Sequence, residues 1–359
     1  MRKVHFEPLK TYMKQILMAA GLPEPDAEIS ADVLIESDKR GIDSHGIGRL
    51  KPIYIDRIRE GIINPITKID VIKDGPTTAV LDANNGMGQV VSKYAMQLAI
   101  DKAKQFGMGM VAVRNSNHYG IAGYYVTMAT EQGMVGITGT NARPSIAPTF
   151  GVENMLGTNP LTFGMPSDEP FPFVLDCATS VTQRGKIEVY QRLGKDLPDG
   201  WVIGEDGSSR TDTEQVLKDL VTGGAALTPL GGMGELLGGY KGYGYATVVE
   251  ILSAALAGGA FLKGLSGISE GVKQPYHLGH FFIAIDVEAF TTLESFKQIT
   301  GDILRTLRSS KKAPGEERIY TAGEKEHLAS LERSNEGVPI NEALERDIAA
   351  LKAIYGIEV

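Results

Sequence analysis

Three helices are predicted in the first part of the chain, because apolar side chains recur there at every third or fourth position. The first helix has its apolar stripe at Leu9, Tyr12, Met13, Ile16 and Leu17. The second covers residues 26–39, and the third carries Leu50, Ile53, Tyr54 and Ile58 on one face. Each helix is followed by a glycine, which favours helix termination: Gly21, Gly41 and Gly61.

The pattern changes near Ile69, where short apolar runs alternate with helical stretches. The runs predict strands at residues 79–81, 110–113, 135–138, 161–164, 173–175 and 281–285. Helical spacing between them predicts helices over residues 90–106 and 120–132. Strands that alternate with helices indicate an α/β domain, in which helices flank a sheet.

The rest of the chain completes the predicted domain organisation. Residues 223–244 are expected to be a loop, because so many glycines disfavour a regular element, and a buried helix is predicted at 247–262. Helical spacing returns at residues 293–307, 324–335 and 341–355. We therefore expect a central α/β domain at 71–290, and a helical domain formed by residues 1–70 together with residues 291–359.

Composition and charge narrow the class of protein. The 359 residues carry a net charge of −8, which argues against the basic face that nucleic-acid binding needs. Cys177 is the only cysteine, so no intramolecular disulfide can form and a reducing compartment, the cytoplasm, is expected. The first residues lack the apolar core of a signal peptide, and residues 247–262 are too short and too polar to span a membrane. We expect neither a nucleic-acid partner nor a membrane partner.

Generic cofactor motifs are incomplete in this sequence. A Rossmann dinucleotide site needs G-x-G-x-x-G between a strand and a helix. The glycine pair that starts at Gly107 precedes a strand, and the pairs that start at Gly86 and Gly242 lack the third glycine. The sequence also lacks a P-loop, an H-E-x-x-H zinc motif and a C-x-x-C pair, so no metal site is predicted.

Residues 43–49, Asp-Ser-His-Gly-Ile-Gly-Arg, form the first cluster of chemically useful side chains. A helix starting near Ser44 would put His45 and Arg49 four residues apart on one face. Histidine exchanges protons near neutral pH, and the arginine fork matches a carboxylate. The pair would suit an acid that bears a reactive oxygen. The alternative is a capping serine, a structural histidine and a surface arginine.

The second cluster, residues 114–120, lies between a predicted strand and a predicted helix. A helix N-terminus after a strand offers free N–H groups to an anion such as a pyrophosphate. The alternative is an ordinary polar loop in which an asparagine caps the helix. Both interpretations remain open at this point.

Two more groups of polar residues follow. Thr158 lies in a Gly-Thr-Asn-Pro run, and Asp176 closes a predicted strand ten residues before Lys186, whose charge could stabilise an anionic oxygen. Lys241 lies among glycines and tyrosines, where the backbone can approach a ligand closely, and residues 314–316 follow a predicted helix. The alternatives are a solvated lysine and a glycine-rich connection without a ligand.

These clusters, in this order, resemble the type-2 malate/L-lactate dehydrogenase family, which also holds ureidoglycolate, sulfolactate and diketogulonate oxidoreductases. The resemblance covers nearly the whole chain. The matching positions are Ser44-His45-Gly46 with Arg49, residues 115–118 with Gly120, residues 157–160, Asp176 with residues 178–180, residues 184–186, residues 241–244 and residues 314–316.

The resemblance implies a non-Rossmann fold in which a mixed sheet with helices binds the dinucleotide and a helical domain from both termini completes the site. It also implies a homodimer. It assigns Ser44, His45 and Arg49 to the substrate side, and we add Thr158 as a substrate contact. The implied cofactor contacts are His118, Tyr119, Gly120, Ile121, Ala122, Ala142, Asp176, Cys177, Ala178, Lys241, Pro314, Gly315 and Glu316.

Three positions depart from relatives in this family. Lys186 stands where the branch that reduces cyclic imines has the aspartate of a Ser–His–Asp relay, which counts against imine chemistry. Tyr240 replaces a histidine that is common just before the Lys-Gly-Tyr run, and Ala142 stands where a cofactor-contacting serine is frequent.

The resulting hypothesis is an NAD(P)-dependent oxidoreductase that interconverts a small 2-hydroxy acid, malate or L-lactate, and its 2-oxo acid. The cofactor takes the hydride, Arg49 holds the carboxylate and Lys186 stabilises charge on the substrate oxygen. The proton is exchanged by His45, which would share a face with Arg49, or by His118, which begins the cofactor loop. The alternatives are a sulfolactate, ureidoglycolate or diketogulonate type of oxidoreductase, a cyclic-imine reductase, and a nucleotide-binding protein without catalysis.

NAD is the expected cofactor, and NADP is the alternative. Glu316 would accept a hydrogen bond from a ribose 2′-hydroxyl and repel a 2′-phosphate. Lys311, Lys312 and Arg318 are near in sequence and could bind that phosphate instead. Cys177 is not expected to act as a nucleophile, because the charge of Asp176 disfavours a thiolate.

Overall fold

The computed structural model describes residues 2–359 and has helices around a central sheet. The helices are α1 Phe6–Ala19, α2 Glu24–Lys39, α3 Asp56–Arg59, α4 Gly88–Phe106, α5 Gly123–Thr130, α6 Arg184–Arg192, α7 Thr213–Thr222, α8 Gly239–Ala254, α9 Leu293–Ser309, α10 Glu324–Glu336 and α11 Glu342–Tyr355. The strands are β1 Arg2–Val4, β2 Asp70–Asp74, β3 Thr78–Asp82, β4 Met108–Ser116, β5 Met134–Thr140, β6 Leu161–Met165, β7 Phe173–Cys177, β8 Val202–Gly204, β9 Ala225–Leu227, β10 Ile268–Ser269, β11 Val272–Lys273, β12 Leu278–Asp286 and β13 Val338–Ile340.

The central sheet has seven strands in the order β2-β3-β4-β12-β5-β6-β7. All six predicted strands lie in it, and β2 is an additional edge strand. Strands β3 and β4 are parallel because α4 carries the chain back between them, whereas the other neighbouring pairs are antiparallel. The predicted mixed α/β sheet with flanking helices is therefore confirmed.

The two ends of the chain meet in one helical region. Strand β1 pairs with β13 in an antiparallel register, and α1 contacts α11. The buried core of this region includes Leu9, Leu34 and Leu351, and it extends to Met87 at the start of α4. The predicted boundaries after residues 70 and 290 stay a prediction. No helix in residues 2–359 is long and apolar enough to cross a membrane.

The third predicted helix does not form as expected. A 3₁₀ helix at Ile47–Arg49 is followed by a π-helical turn at Leu50–Ile55, and only α3 is regular. Pro52 has no N–H to donate within a helix, so an α-helical ladder cannot run through this segment. The helix expected to start near Ser44 is therefore wrong, because Ser44 and His45 lie in a turn before the 3₁₀ helix.

The glycine-rich stretch is also more ordered than expected. Residues 223–244 include β9 and the first turns of α8, so the loop prediction is wrong for these parts. The predicted buried helix ends at Ala254 rather than at residue 262, and one of its faces is exposed at Tyr245, Val248 and Ile251. A small lobe of α6, α7, β8 and β9, which was not predicted, packs against α8 around its own apolar core.

Candidate active site

Two histidines from distant parts of the chain stack on each other. His45 lies in the turn before the 3₁₀ helix, and His118 follows β4. Their ring centroids are 5.5 Å apart and their planes differ by 19°. The structure thus brings together the two histidines that compete for the proton-transfer role in the sequence-based hypothesis.

Both neutral tautomers of the His45 ring are compatible with its hydrogen bond to Ser44. Its Nδ1 lies 2.8 Å from the Ser44 hydroxyl, which can either accept a hydrogen bond from the ring or donate one to it. Burial, followed by the charge of Arg49, lowers the pKa of His45 to about 4. A neutral His45 that donates from Nδ1 to Ser44 leaves Nε2 unprotonated, as a general base requires.

The His118 ring, in contrast, is held in one tautomer. The Tyr54 hydroxyl lies 2.7 Å from His118 Nδ1, and the Gly120 N–H donates to the same nitrogen at 3.3 Å. A backbone N–H can only donate, so Nδ1 is the acceptor, Tyr54 donates to it, and the ring proton sits on Nε2. Burial is the main cause that holds the pKa of His118 well below its usual value. His118 is therefore built to donate a hydrogen bond.

Tyr54 is a site residue that the sequence-based reasoning did not identify. Tyr54 lies in the apolar stripe that predicts the third helix, and its ring is indeed fully buried. Its hydroxyl, however, reaches His118 across the site. An apolar stripe that contains a tyrosine gives only a weak signal, because a buried tyrosine hydroxyl needs some partner in every fold.

Asp38 fixes the backbone of the segment that carries His45 and Arg49. Its carboxylate accepts a hydrogen bond from the Ile47 N–H at 2.8 Å, at the first residue of the 3₁₀ helix. Gly46 packs against this carboxylate so closely that a Cβ there would collide with it. Burial raises the pKa of Asp38 to about 8. Arg49 closes the same turn by donating from Nε to the Ser44 carbonyl at 2.5 Å.

The loop from His118 to Ala122 turns its side chains inward. Tyr119 is buried and stacked between Tyr125 and His280, with ring centroids 5.0 and 4.7 Å away. Ile121 and Ala122 are buried as well. Contacts predicted between these residues and a cofactor would therefore have to use the backbone, which Gly120 turns with a positive φ of 81°.

Asp176 occupies the start of α5, where free N–H groups were expected. Its carboxylate accepts hydrogen bonds from the Gly123 N–H at 2.6 Å and from the Thr162 hydroxyl at 3.0 Å. Burial raises the pKa of this carboxyl group. The N-cap is Ala122, so the alternative in which an asparagine caps this helix is wrong. An acidic side chain already satisfies the helix N-terminus that was considered for a pyrophosphate.

The other predicted residues lie in connecting segments around the site. Thr158 offers its carbonyl to the Thr179 N–H at 3.0 Å, and the Ala142 N–H donates to the Asn159 side chain at 3.2 Å. Cys177 ends β7, directly before Ala178. Cys177 is exposed, but partial desolvation by the surrounding chain and then the charge of Asp176 raise the pKa of its thiol, which opposes thiolate formation.

Lys186, Lys241 and residues 314–316 lie on the exposed surface. The Lys186 ammonium is 5.3 Å from the centroid of the Trp201 ring, and the Lys241 ammonium is 5.8 Å from that of Tyr240. Pro314, Gly315 and Glu316 are exposed in the connection between α9 and α10. None of the contacts found in residues 2–359 joins these residues to the histidine pair, so their assigned roles stay predictions.

Two features are candidates for contact with a dinucleotide. The Gln89 side chain is fully buried close to the Tyr54 hydroxyl, and its amide makes no hydrogen bond of good geometry in the described part of the chain. It lies in the first turn of α4, where Gly88 packs against the His118 carbonyl. Further along, a cavity of about 190 Å³ is lined by Arg40, Thr127, Pro172, Asp176 and Gly323, among others. That volume suits one ring of such a ligand and not the whole molecule.

Comparison with known proteins gives a consistent result over almost the entire chain. The family profile of malate/L-lactate dehydrogenase matches residues 4–349. Malate dehydrogenase from Pyrococcus horikoshii is 46% identical over 356 residues, covering 99% of this chain and 96% of that protein. L-sulfolactate dehydrogenase from Methanocaldococcus jannaschii is 39% identical, covering 98% of this chain and 96% of that protein. The crystal structure of malate dehydrogenase from Entamoeba histolytica superposes with a TM-score of 0.96 at 45% identity, covering 100% of this chain and 99% of that one.

Proposed function

The chain belongs to the malate/L-lactate dehydrogenase family and is a 2-hydroxyacid dehydrogenase that acts on CH–OH groups, and we propose that it interconverts malate and oxaloacetate, or L-lactate and pyruvate. The observation that carries this proposal is the stacked pair His45 and His118 beside Arg49. The names of its relatives support malate first, with sulfolactate as the alternative.

Arg49 binds the carboxylate of the substrate. Its Nε is engaged with the Ser44 carbonyl, which orients the planar guanidinium group, and the two terminal nitrogens remain to pair with carboxylate oxygens. A carboxylate held in this way places its neighbouring C2 oxygen next to His45, which precedes Arg49 in the same turn. Positioning of this kind removes much of the entropic barrier to reaction.

His45 exchanges the proton and His118 orients the oxygen. In the oxidation direction, Nε2 of neutral His45 accepts the hydroxyl proton while Nδ1 donates to Ser44, and in reduction the proton returns to the substrate. His118 keeps its proton on Nε2 because Tyr54 and Gly120 both donate to Nδ1, so it donates a hydrogen bond to the same oxygen. These hydrogen bonds support His45 as the residue that exchanges the proton.

The bound nicotinamide supplies or accepts the hydride. We propose that the backbone of residues 118–122, the amide of Gln89, Ala142 and the surroundings of Asp176 to Ala178 hold the cofactor, with Lys241 and residues 314–316 at its outer part. These residues exclude water and fix the ring that faces C2.

NAD is the proposed cofactor. Arg318 forms an ion pair with Glu324, and Lys312 donates to the Glu317 carbonyl at 2.9 Å, so two of the three cations that could hold a 2′-phosphate are already engaged. Exposed Glu316 would repel that phosphate. The ratio of kcat/KM for NADH and NADPH tests this choice, and a tenfold preference for NADPH would contradict it.

We further propose a cytoplasmic homodimer. The exposed apolar side chains of α8 and of the preceding loop, Leu237, Tyr245, Val248 and Ile251, form a face that a second copy would cover. A single cysteine is consistent with a reducing compartment. Light scattering on the purified protein tests the dimer, which should have twice the chain mass of 38.6 kDa.

One assay tests the proposed reaction directly. Loss of NADH absorbance is measured with oxaloacetate, pyruvate, sulfopyruvate, oxalurate, a diketogulonate and a cyclic imine. We expect a 2-oxo acid to be reduced, with oxaloacetate among the best substrates, and the cyclic imine to be left unchanged. Reduction of the imine alone, with either NADH or NADPH, would replace the proposal by imine reduction.

A further inference from the structure

The charge of Arg57 acts on His118, and the charge of Arg143 acts on Arg57. After burial, the charges of Arg143 and Arg49 are among the causes that lower the pKa of Arg57. The charges of Arg49 and Arg57 in turn act on His118. Arg57 also follows Tyr54 by three residues in one continuous helical segment, and the Tyr54 hydroxyl contacts His118, so Arg57 borders the site with Arg143 beside it. The substrate carboxylate described above needs only Arg49.

None of these three arginines takes part in an ion pair among residues 2–359. The nearest acids along the chain are already used, since Asp56 pairs with Lys51 at 2.9 Å and Glu60 pairs with Lys273 at 2.7 Å. Both histidines are neutral at pH 7 and contribute no balancing charge. The site thus carries an excess of positive charge that the chain itself does not compensate.

The Arg57 side chain is also held by an aromatic neighbour, and Arg143 lies on an anchored stretch of backbone. The Arg57 guanidinium carbon lies 4.3 Å from the centroid of the Tyr276 ring, a stacking contact that fixes the plane of its fork. Arg143 is exposed and lies two residues after Asn141, whose buried side chain donates to the Ala260 carbonyl at 3.3 Å and accepts from the Gly279 N–H at 2.8 Å. Such anchoring is expected of groups that recognise a ligand rather than of mobile surface charges.

A partly buried guanidinium group without an acidic partner, as at Arg57, is unfavourable unless a ligand offsets its charge. A 2-oxo monocarboxylate brings one negative charge, and Arg49 accounts for it. We propose that Arg57 and Arg143 bind a second anionic group at the far end of the substrate. The enzyme would then select short dianionic acids, with a second carboxylate or a sulfonate, over monoanionic ones. This inference rests on the proposed function, because it assumes that the 2-hydroxy acid binds beside His45.

The test compares oxaloacetate with pyruvate in the wild type, in Arg57→Gln and in Arg59→Gln. Arg59 is a matched control, because it lies in the same short helix and is exposed. We expect the wild type to prefer oxaloacetate. Arg57→Gln should lose about 30-fold or more in kcat/KM for oxaloacetate, as for a shielded charge pair that has lost one partner, and less than about threefold for pyruvate. Arg59→Gln should leave both values unchanged.

Two results would overturn the inference. Equal losses for both acids in Arg57→Gln would mean that the arginine does not distinguish them. A weakened NADH affinity with an unchanged ratio of the two kcat/KM values would mean that Arg57 binds cofactor phosphates.

A binding measurement separates this inference from the proposed function. If no 2-oxo acid is reduced, the proposed function fails, but the anion site can still be tested by binding. The measurement is the rise in melting temperature of the NADH complex on adding hydroxymalonate, a dianion, compared with the rise on adding glycolate, a monoanion. Selective stabilisation by the dianion that is lost in Arg57→Gln supports the second anion site. Equal stabilisation by both acids overturns it.

Discussion

Two regions meet at the histidine pair, and they present their chemistry in opposite ways. The irregular segment from Ser44 to Arg59 turns His45, Arg49 and Arg57 toward the site on a backbone that changes from 3₁₀ to π to α geometry. The loop from His118 to Ala122 buries the side chains that follow His118 and leaves mainly backbone on the site side.

This difference indicates how the two ligands are divided between the regions. Side chains that carry charge and protons suit a small acid, whose atoms must be held individually. A backbone loop suits a large cofactor, which can be recognised through shape and N–H and C=O groups. Substitutions in the first region should therefore change substrate kinetics, whereas the second region tolerates little change because its side chains are part of the core.

The largest effect is expected for His45→Asn, which tests the first region at its centre. Asparagine keeps a polar side chain but cannot take up a proton, so kcat should fall by about 10²- to 10⁴-fold, the usual contribution of a general base. Steady-state kinetics with malate and NAD⁺ check this value. His5→Asn, at an exposed site before α1, is the matched control. A loss of less than about tenfold would remove His45 from the proton-transfer role.

The next largest effect is expected for Arg49→Lys. A lysine keeps the charge but not the planar fork, so the substrate carboxylate loses its paired geometry. The cost should be about 2–4 kcal/mol, which corresponds to a loss in kcat/KM of roughly 30- to 1000-fold. Arg59→Lys serves as the exposed control in the same segment. If kcat/KM falls less than about threefold, the substrate-side assignment of residues 44–49 is wrong.

A smaller effect is expected for Tyr54→Phe, which probes the link between the two regions. Removing the hydroxyl leaves His118 Nδ1 with only the weaker Gly120 donor and loosens the tautomer. One hydrogen bond contributes about 0.5–1.5 kcal/mol, so kcat/KM should fall by about two- to tenfold. The pH profile of kcat/KM should change as well, because the lost hydrogen bond stabilised neutral His118 and its removal raises the pKa of this histidine. An unchanged profile would show that Tyr54 serves packing alone.

The smallest effect on turnover is expected for Cys177→Ala, on the cofactor side of the comparison. Partial desolvation and the charge of Asp176 raise the pKa of this thiol and disfavour the thiolate, and no step of the mechanism uses it. Activity should stay within about twofold of the wild type. Abolished turnover in a folded variant that still binds NADH would require a different mechanism.

Much of the fold could be predicted from the sequence, because regular elements follow from local periodicity. The six strands and the helices of the two ends have clear apolar patterns, as the stripe from Leu9 to Leu17 illustrates. The helix predicted to start near Ser44 is wrong, because two features of this segment leave no trace in the apolar periodicity. Gly46 packs against the side chain of Asp38, which binds the next N–H, and Pro52 lacks an N–H for a helical hydrogen bond. In the glycine-rich stretch, close packing of Gly239 and Gly242 against the backbone explains why glycines occur inside an ordered helix.

The site was only partly predictable for a similar reason. His45, Arg49 and His118 could be chosen by residue type, but their meeting depends on the sheet and on the helical region that bring distant segments together. Tyr54, Gln89 and Arg57 were missed because an apolar or polar helix face explains each of them equally well in the sequence alone. They are identified by contacts in the folded chain: Tyr54 by its hydrogen bond to His118, Gln89 by its buried amide, and Arg57 by its stacking on Tyr276 near the site.

The division between the two regions is tested most directly by the NADH affinity of Arg49→Lys, measured by fluorescence titration. Arg49 is assigned to the substrate alone, so the Kd for NADH should stay within about twofold of the wild-type value while kcat/KM collapses. A Kd for NADH weakened by about tenfold or more would place Arg49 in the cofactor site or in the packing between the regions, and would contradict the division of roles.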